Sequence, residues 1–122
     1  MPSRMFGAAA EFVEKKYGGP TAELVATESV GTTQSEILRN DPERVFVLIV
    51  NLSVNTVHIG YDAGVSSTNG IQLSSNGGTY QTDVEEDFTV PIRAHHAVAG
   101  AANSTLYVLT VRRISKTPPV EA

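Results

Sequence analysis

The sequence predicts an all-β chain, an antiparallel β-sandwich of jelly-roll-like form with an N-terminal amphipathic helix. Three observations carry that expectation. From Thr21 onward almost every apolar segment is short, rich in Val, Thr and Ile, and bounded by Gly, Asn, Asp or Ser. Residues 45–50 form the most apolar strand candidate, with Val45, Val47 and Ile49 on one side and Phe46, Leu48 and Val50 on the other. Residues 105–114 form a second, in which Tyr107, Leu109 and Val111 face one way and Leu106 and Val108 the other.

Three stretches are expected: a helical arm over 1–19, a β-sandwich domain over 20–115 and an extended tail over 116–122. In the arm, Phe6, Ala10, Val13 and Tyr17 recur at helical spacing, with Met5, Ala9, Phe12 and Lys16 as an adjoining row. Gly18-Gly19-Pro20 ends that pattern with a flexible pair and a residue that cannot continue a helix. A helix this short is marginal without packing, so it either covers its own sheet or reaches a neighbouring subunit.

The strands are expected in the order 23–30, 34–38, 45–50, 57–61, 71–73, 79–84, 96–99 and 105–114. Asn40-Asp41-Pro42 reads as a turn into Arg44, and Asn76-Gly77-Gly78 reads as the strongest hairpin signal, because left-handed backbone is cheap there. Glu85-Glu86-Asp87 is an acidic corner, and Pro91 confines residues 88–92 to an edge or a loop. Pro118-Pro119 marks the tail as extended. The strand at 45–50 is apolar on both faces, whereas an antiparallel sandwich normally dries only its inner face. Something is therefore expected to cover Phe46, Leu48 and Val50: the N-terminal helix or a partner subunit.

Composition narrows the function. At 122 residues the chain is expected to build one hydrophobic core. Nine Lys and Arg against 13 Asp and Glu leave a formal charge of -4, and no basic patch is present that would neutralise a row of phosphates, which argues against nucleic acid as a partner. With no cysteine, disulfides and thiolate metal sites are excluded. No export signal is expected at the start, since Glu11 interrupts the short small-residue run, and no stretch of about 18 apolar residues suits a membrane-spanning helix.

The residues that chemistry would use are sparse. His58, His95 and His96 are the whole supply of histidine, and adjacent strand residues point to opposite faces, so His95 and His96 do not readily share a metal. Asp83, Glu85, Glu86 and Asp87 offer oxygen ligands without EF-hand spacing and read as a solvated loop. No serine sits in a Gly-x-Ser-x-Gly elbow, and no glycine-rich phosphate loop precedes a helix. No catalytic residue, cofactor site or metal site is assigned, and the chain is not expected to be an enzyme. An alternative reading is a carbohydrate-binding module that uses loops around Tyr61 and Tyr80.

The central stretch carries a resemblance. Asn51 and Ser53 close one strand, Val57, Ile59, Gly60 and Asp62 form the next, Gly70, Ile71, Leu73 and Gly77 the return, and Leu106, Tyr107 and Val108 a late strand. This pattern resembles small virion structural proteins of tailed bacteriophages. The resemblance spans roughly 45–111 and implies a head decoration or cement protein, a head-fibre base, or a neck or tail accessory protein. It further implies a homo-oligomer located in the virion, made in the host cytoplasm, and bound to capsid, portal or tail proteins. The expected contact residues are Phe6, Phe12, Val13 and Tyr17 on the arm and Phe46, Leu48 and Val50 on the sheet.

Overall fold

A computed structural model describes residues 20–114. The arm with Phe6, Phe12, Val13 and Tyr17, and the tail over 116–122, lie outside the described residues. Eight strands follow in order: β1 (Thr21–Val30), β2 (Ser35–Leu38), β3 (Arg44–Asn51), β4 (Val57–Gly60), β5 (Ile71–Leu73), β6 (Thr79–Asp83), β7 (His95–Ala99) and β8 (Ser104–Arg113). A single 3-10 turn at Val90–Ile92 is the one helical element among the described residues, with Pro91 in it as the lost backbone donor requires.

The strands form two four-stranded antiparallel sheets, ordered β1-β8-β3-β6 (sheet 1) and β2-β7-β4-β5 (sheet 2). The chain changes sheet at every connection except β4 to β5. One core lies between them: Val30, Val47, Ile49, Tyr80, Leu106 and Val108 from sheet 1 meet Ile37, Val57, Ile59, Leu73, Ala97 and Ala99 from sheet 2. Period-two patterning is what places them, since alternate residues from Val45 to Asn51 in β3 and from Ser104 to Thr110 in β8 are buried.

The Asn76-Gly77-Gly78 signal marks a tight turn but not a hairpin. Asn76 and Gly77 take positive φ (56° and 118°), as the residue types predict, yet β5 and β6 belong to different sheets. The turn is held instead by the end of β3: Gly77 N–H donates to Asn51 O at 2.7 Å and Asn76 N–H to Ser53 O at 2.8 Å. Local turn chemistry is the same in either case, and only the partner strands decide which connection forms.

Asn51 explains the Asn-x-Ser signature in physical terms. Its fully buried side chain donates through Nδ2 to the carbonyls of Asn55, Leu73 and Ser74, while Oδ1 accepts from Ser53 N–H and Ser53 Oγ. One amide thus pins the corner after β3 to the corner after β5. Gly60 is needed for close approach, because a Cβ there would lie 2.7 Å from the Cβ of Val65, whose loop folds over β4.

Candidate functional site

Register builds the outer face of sheet 1 row by row. Glu23, Val111, Phe46 and Asp83 lie side by side, then Val25, Leu109, Leu48 and Gln81, then Thr27, Tyr107, Val50 and Thr79. The result is an apolar block of Val25, Phe46, Leu48, Val50, Tyr107, Leu109 and Val111, bordered by Glu23 and Asp83 at one end and by Thr27 and Thr79 at the other. An apolar centre with a polar rim is the anatomy of a contact surface. The other sheet packs on the opposite, inner face, so no described strand lies over it. Its β3 and β8 members are half-buried by one another, and Val25 on the edge strand is 54% exposed.

A β-bulge sets the start of this face. Arg44 pairs with Arg112 and Phe46 with Val111, so Val45 is the extra residue and Arg44 and Val45 are both buried. Arg44 then reaches three backbone carbonyls: Nε donates to Pro91 O at 2.8 Å, and Nη2 donates to Arg39 O at 2.9 Å and Arg93 O at 2.8 Å. Burial lowers its pKa from the ordinary arginine value, with Asp41 opposing. The charge clasps the loops flanking β2 and β7. Nothing in the sequence marked Arg44 as buried, since arginine before an apolar run reads as a solvated edge.

The buried polar chemistry is structural. His95, fully buried, sits with Nε2 3.0 Å from Tyr80 OH, and Tyr80 OH is 2.9 Å from Tyr61 OH. Its Nδ1 lies 2.8 Å from Arg93 O, which only accepts, so Nδ1 carries the proton and Nε2 accepts from Tyr80. Burial above all, with smaller contributions from the Arg44 and Arg93 cations, pushes the His95 pKa down to about 4, against the Arg93 carbonyl. Burial followed by the hydrogen bond to Tyr61 raises that of Tyr80.

These positions bear on the sugar-binding alternative. Tyr80 on β6 is turned into the core, and the guanidinium of Arg93 stands 4.9 Å over the Tyr61 ring. Tyr80 is therefore not free as a stacking platform, and one face of half-buried Tyr61 is taken by Arg93. The histidines diverge: His95 enters the core, while half-buried His96 meets Gln34 Oε1 through Nδ1 at 2.9 Å. Among the described residues no group of three or more His, Asp or Glu gathers as a metal site. In the acidic corner Asp83 Oδ1 accepts from the N–H groups of Glu85 and Glu86, and Asp87 Oδ2 accepts from Asp83 N–H. Those carboxylates cap a turn, beside which Phe88 stands 81% exposed at φ 58°.

The sequence matches no protein-family model and no curated protein. Among solved structures it is similar to a protein of the Bacillus endospore appendages, a family of disulfide-linked pili, with TM-score 0.47 and 13% identity over 78% of this chain and 88% of that one. The Tobacco streak virus coat protein gives TM-score 0.43 and 11% identity over 81% of this chain and 90% of that one. The dTDP-4-dehydrorhamnose 3,5-epimerase of Bacillus anthracis gives TM-score 0.44 and 15% identity over 86% of this chain and 61% of that one. Likeness this loose carries no argument about what the chain does.

Proposed function

We propose that this chain is a non-enzymatic structural protein of a tailed-phage particle, a head decoration or cement protein or a neck or tail accessory. It adheres as a homo-oligomer to other virion proteins through the outer face of sheet 1, with the N-terminal arm as a second contact. The observation that carries this reading is the apolar block of Val25, Phe46, Leu48, Val50, Tyr107, Leu109 and Val111 with its polar rim. The strand orders β1-β8-β3-β6 and β2-β7-β4-β5 support a jelly roll, two interleaved Greek keys that serve well as a rigid building block.

Magnitudes agree with that role. Fully burying a large apolar side chain contributes about 1.5–3 kcal/mol, so finishing the burial of seven that are already partly covered contributes roughly 5–10 kcal/mol. Association of two bodies costs about 4–15 kcal/mol, which leaves a single contact weak. Repetition over a particle turns such a contact into firm attachment through effective concentration.

The test is co-sedimentation of purified protein with particles of its host virus. The pair Leu48→Glu and Leu109→Glu places two charges at the centre of the face without touching the core. Binding is expected to fall at least about tenfold with the far-UV circular dichroism unchanged, since each buried unpaired charge costs several kcal/mol. Deleting residues 1–19 is expected to weaken binding as well. Unchanged occupancy for the Glu pair would refute the reading.

A further inference from the structure

We infer that the free edge of β1 pairs with β1 of a second copy, joining two molecules through one continuous eight-stranded sheet. This inference rests on the oligomeric reading above and names its partner. β1 is the one long open edge among the described residues: it runs ten residues, against five for β6, four for β2 and three for β5 at the other sheet borders. Its pairing to β8 is continuous from Thr21–Arg113 to Val30–Ser104, without the bulge, and β1 holds no proline or lysine of the kind that usually blunts such an edge. Leu24 and Val25 are 65% and 54% exposed on opposite faces of this same strand. A solitary molecule gains nothing from two adjacent large apolar residues left open there.

Hydrogen-bond parity shows which groups the edge offers. Ile114 N–H donates to Pro20 O at 2.7 Å, and Arg113 N–H turns the other way, to Glu43 O at 2.7 Å. Antiparallel ladders alternate, so even-numbered residues of β1 direct their backbone groups to β8. Thr21, Glu23, Val25, Thr27 and Ser29 therefore direct theirs to the open side. These odd-numbered residues are also the ones on the outer face of the sheet.

A two-fold axis normal to the sheet keeps outer faces together, so it must pair odd residues with odd ones. The register centred on Val25 uses all five: Val25 opposes Val25 of the other copy, Glu23 opposes Thr27, and Thr21 opposes Ser29. On the inner face Leu24 meets Ala26 and Ala22 meets Glu28. No glutamate faces another. A slip of one pair either way leaves only four odd residues matched, and sets Glu23 against Val25 or Leu24 against Glu28. In the centred register the middle row of the outer face becomes Leu48, Leu109, Val25, Val25, Leu109, Leu48, so two apolar blocks merge into one. The open groove of about 820 Å³ beneath β1, whose mixed lining includes Leu24, Ala26 and Val108 beside Glu28, Glu36 and Arg39, gains a wall from the second copy.

Light scattering on the full chain tests this. The wild type is expected at twice its 13.0 kDa mass, and Val25→Pro at the single-chain mass with unchanged circular dichroism. Proline there removes an N–H that faces away from β8, so the fold keeps its ladder while the edge loses its central pair. Val25→Cys gives an independent reading in a chain without cysteine. Directly opposed residues of a hydrogen-bonded pair stand about 5.5 Å apart at Cα, within disulfide reach. Mild oxidation is expected to yield a covalent dimer from Val25→Cys and none from Ala63→Cys, which sits in an exposed loop. A monomeric wild type, a Val25→Pro protein that stays associated, or equal crosslinking of the two cysteine variants would overturn the pairing. Particle binding and its loss in the Leu48 and Leu109 variants would still decide the structural role separately.

Discussion

Acid is expected to unfold this protein through His95. The ring is fully buried, its Nδ1–H is committed to Arg93 O, and its Nε2 accepts from Tyr80, whose oxygen accepts in turn from Tyr61. A proton on Nε2 would force both hydroxyls to reverse and leave a cation near Arg44 and Arg93. Burial is the main reason the folded-state pKa falls from 6.5 to about 4. The unfolded chain therefore takes up a proton first as pH drops. The stabilisation is complete above about pH 6.5 and is lost progressively as pH falls to about 4. At about 1.36 kcal/mol per pKa unit, that gap corresponds to about 3 kcal/mol, a large share of a small domain's stability. The assay is urea unfolding of wild type and His95→Gln at intervals between about pH 7 and pH 4. The carboxylates, including Asp41 with its pKa lowered by the Arg112 hydrogen bond, are common to both proteins and cancel in the difference. The wild type is expected to lose about 3 kcal/mol more than the variant over this range. Parallel curves would refute the argument.

Two further substitutions probe the buried polar groups. Asn51→Ala removes three donated and two accepted hydrogen bonds from a fully buried corner and is expected to cost about 3–5 kcal/mol by chemical denaturation; a loss under about 1 kcal/mol would show that the corner holds without it. Thr82→Val replaces a buried hydroxyl that has no hydrogen-bond partner by a methyl of similar shape, and is expected to raise stability by about 1 kcal/mol in the same assay, so a fall in the unfolding midpoint would contradict it.

Much of the strand order was legible because period-two patterning is local. The expected strand at 23–30 begins two residues earlier, at Thr21, and the one at 96–99 one residue earlier, at His95. Residues 45–50 and 105–114 present the faces their alternation predicts, and these turn out to be adjacent strands with Leu48 opposite Leu109. That adjacency makes two apolar stripes into one surface, and no single strand's pattern contains it. The sugar-binding alternative loses Tyr80 for a related reason. Alternation puts Tyr80 on one face of β6, but only the opposing sheet, bringing His95 and Tyr61 within hydrogen-bonding reach, shows that this face is the dry one.

By itself the sequence determined the all-β class, the turn at Asn76-Gly77 and the double-sided apolarity of residues 45–50, because each depends on residue type and near neighbours. Tertiary structure alone decided that the Asn76-Gly77 turn joins two sheets, that a bulge at Val45 sends Arg44 inward to hold three carbonyls, and that β1 ends sheet 1 with an open edge. These depend on which strands lie side by side. Pairing partners are set by contacts far apart along the chain, and a period-two pattern states which face a residue takes without stating what lies beside it.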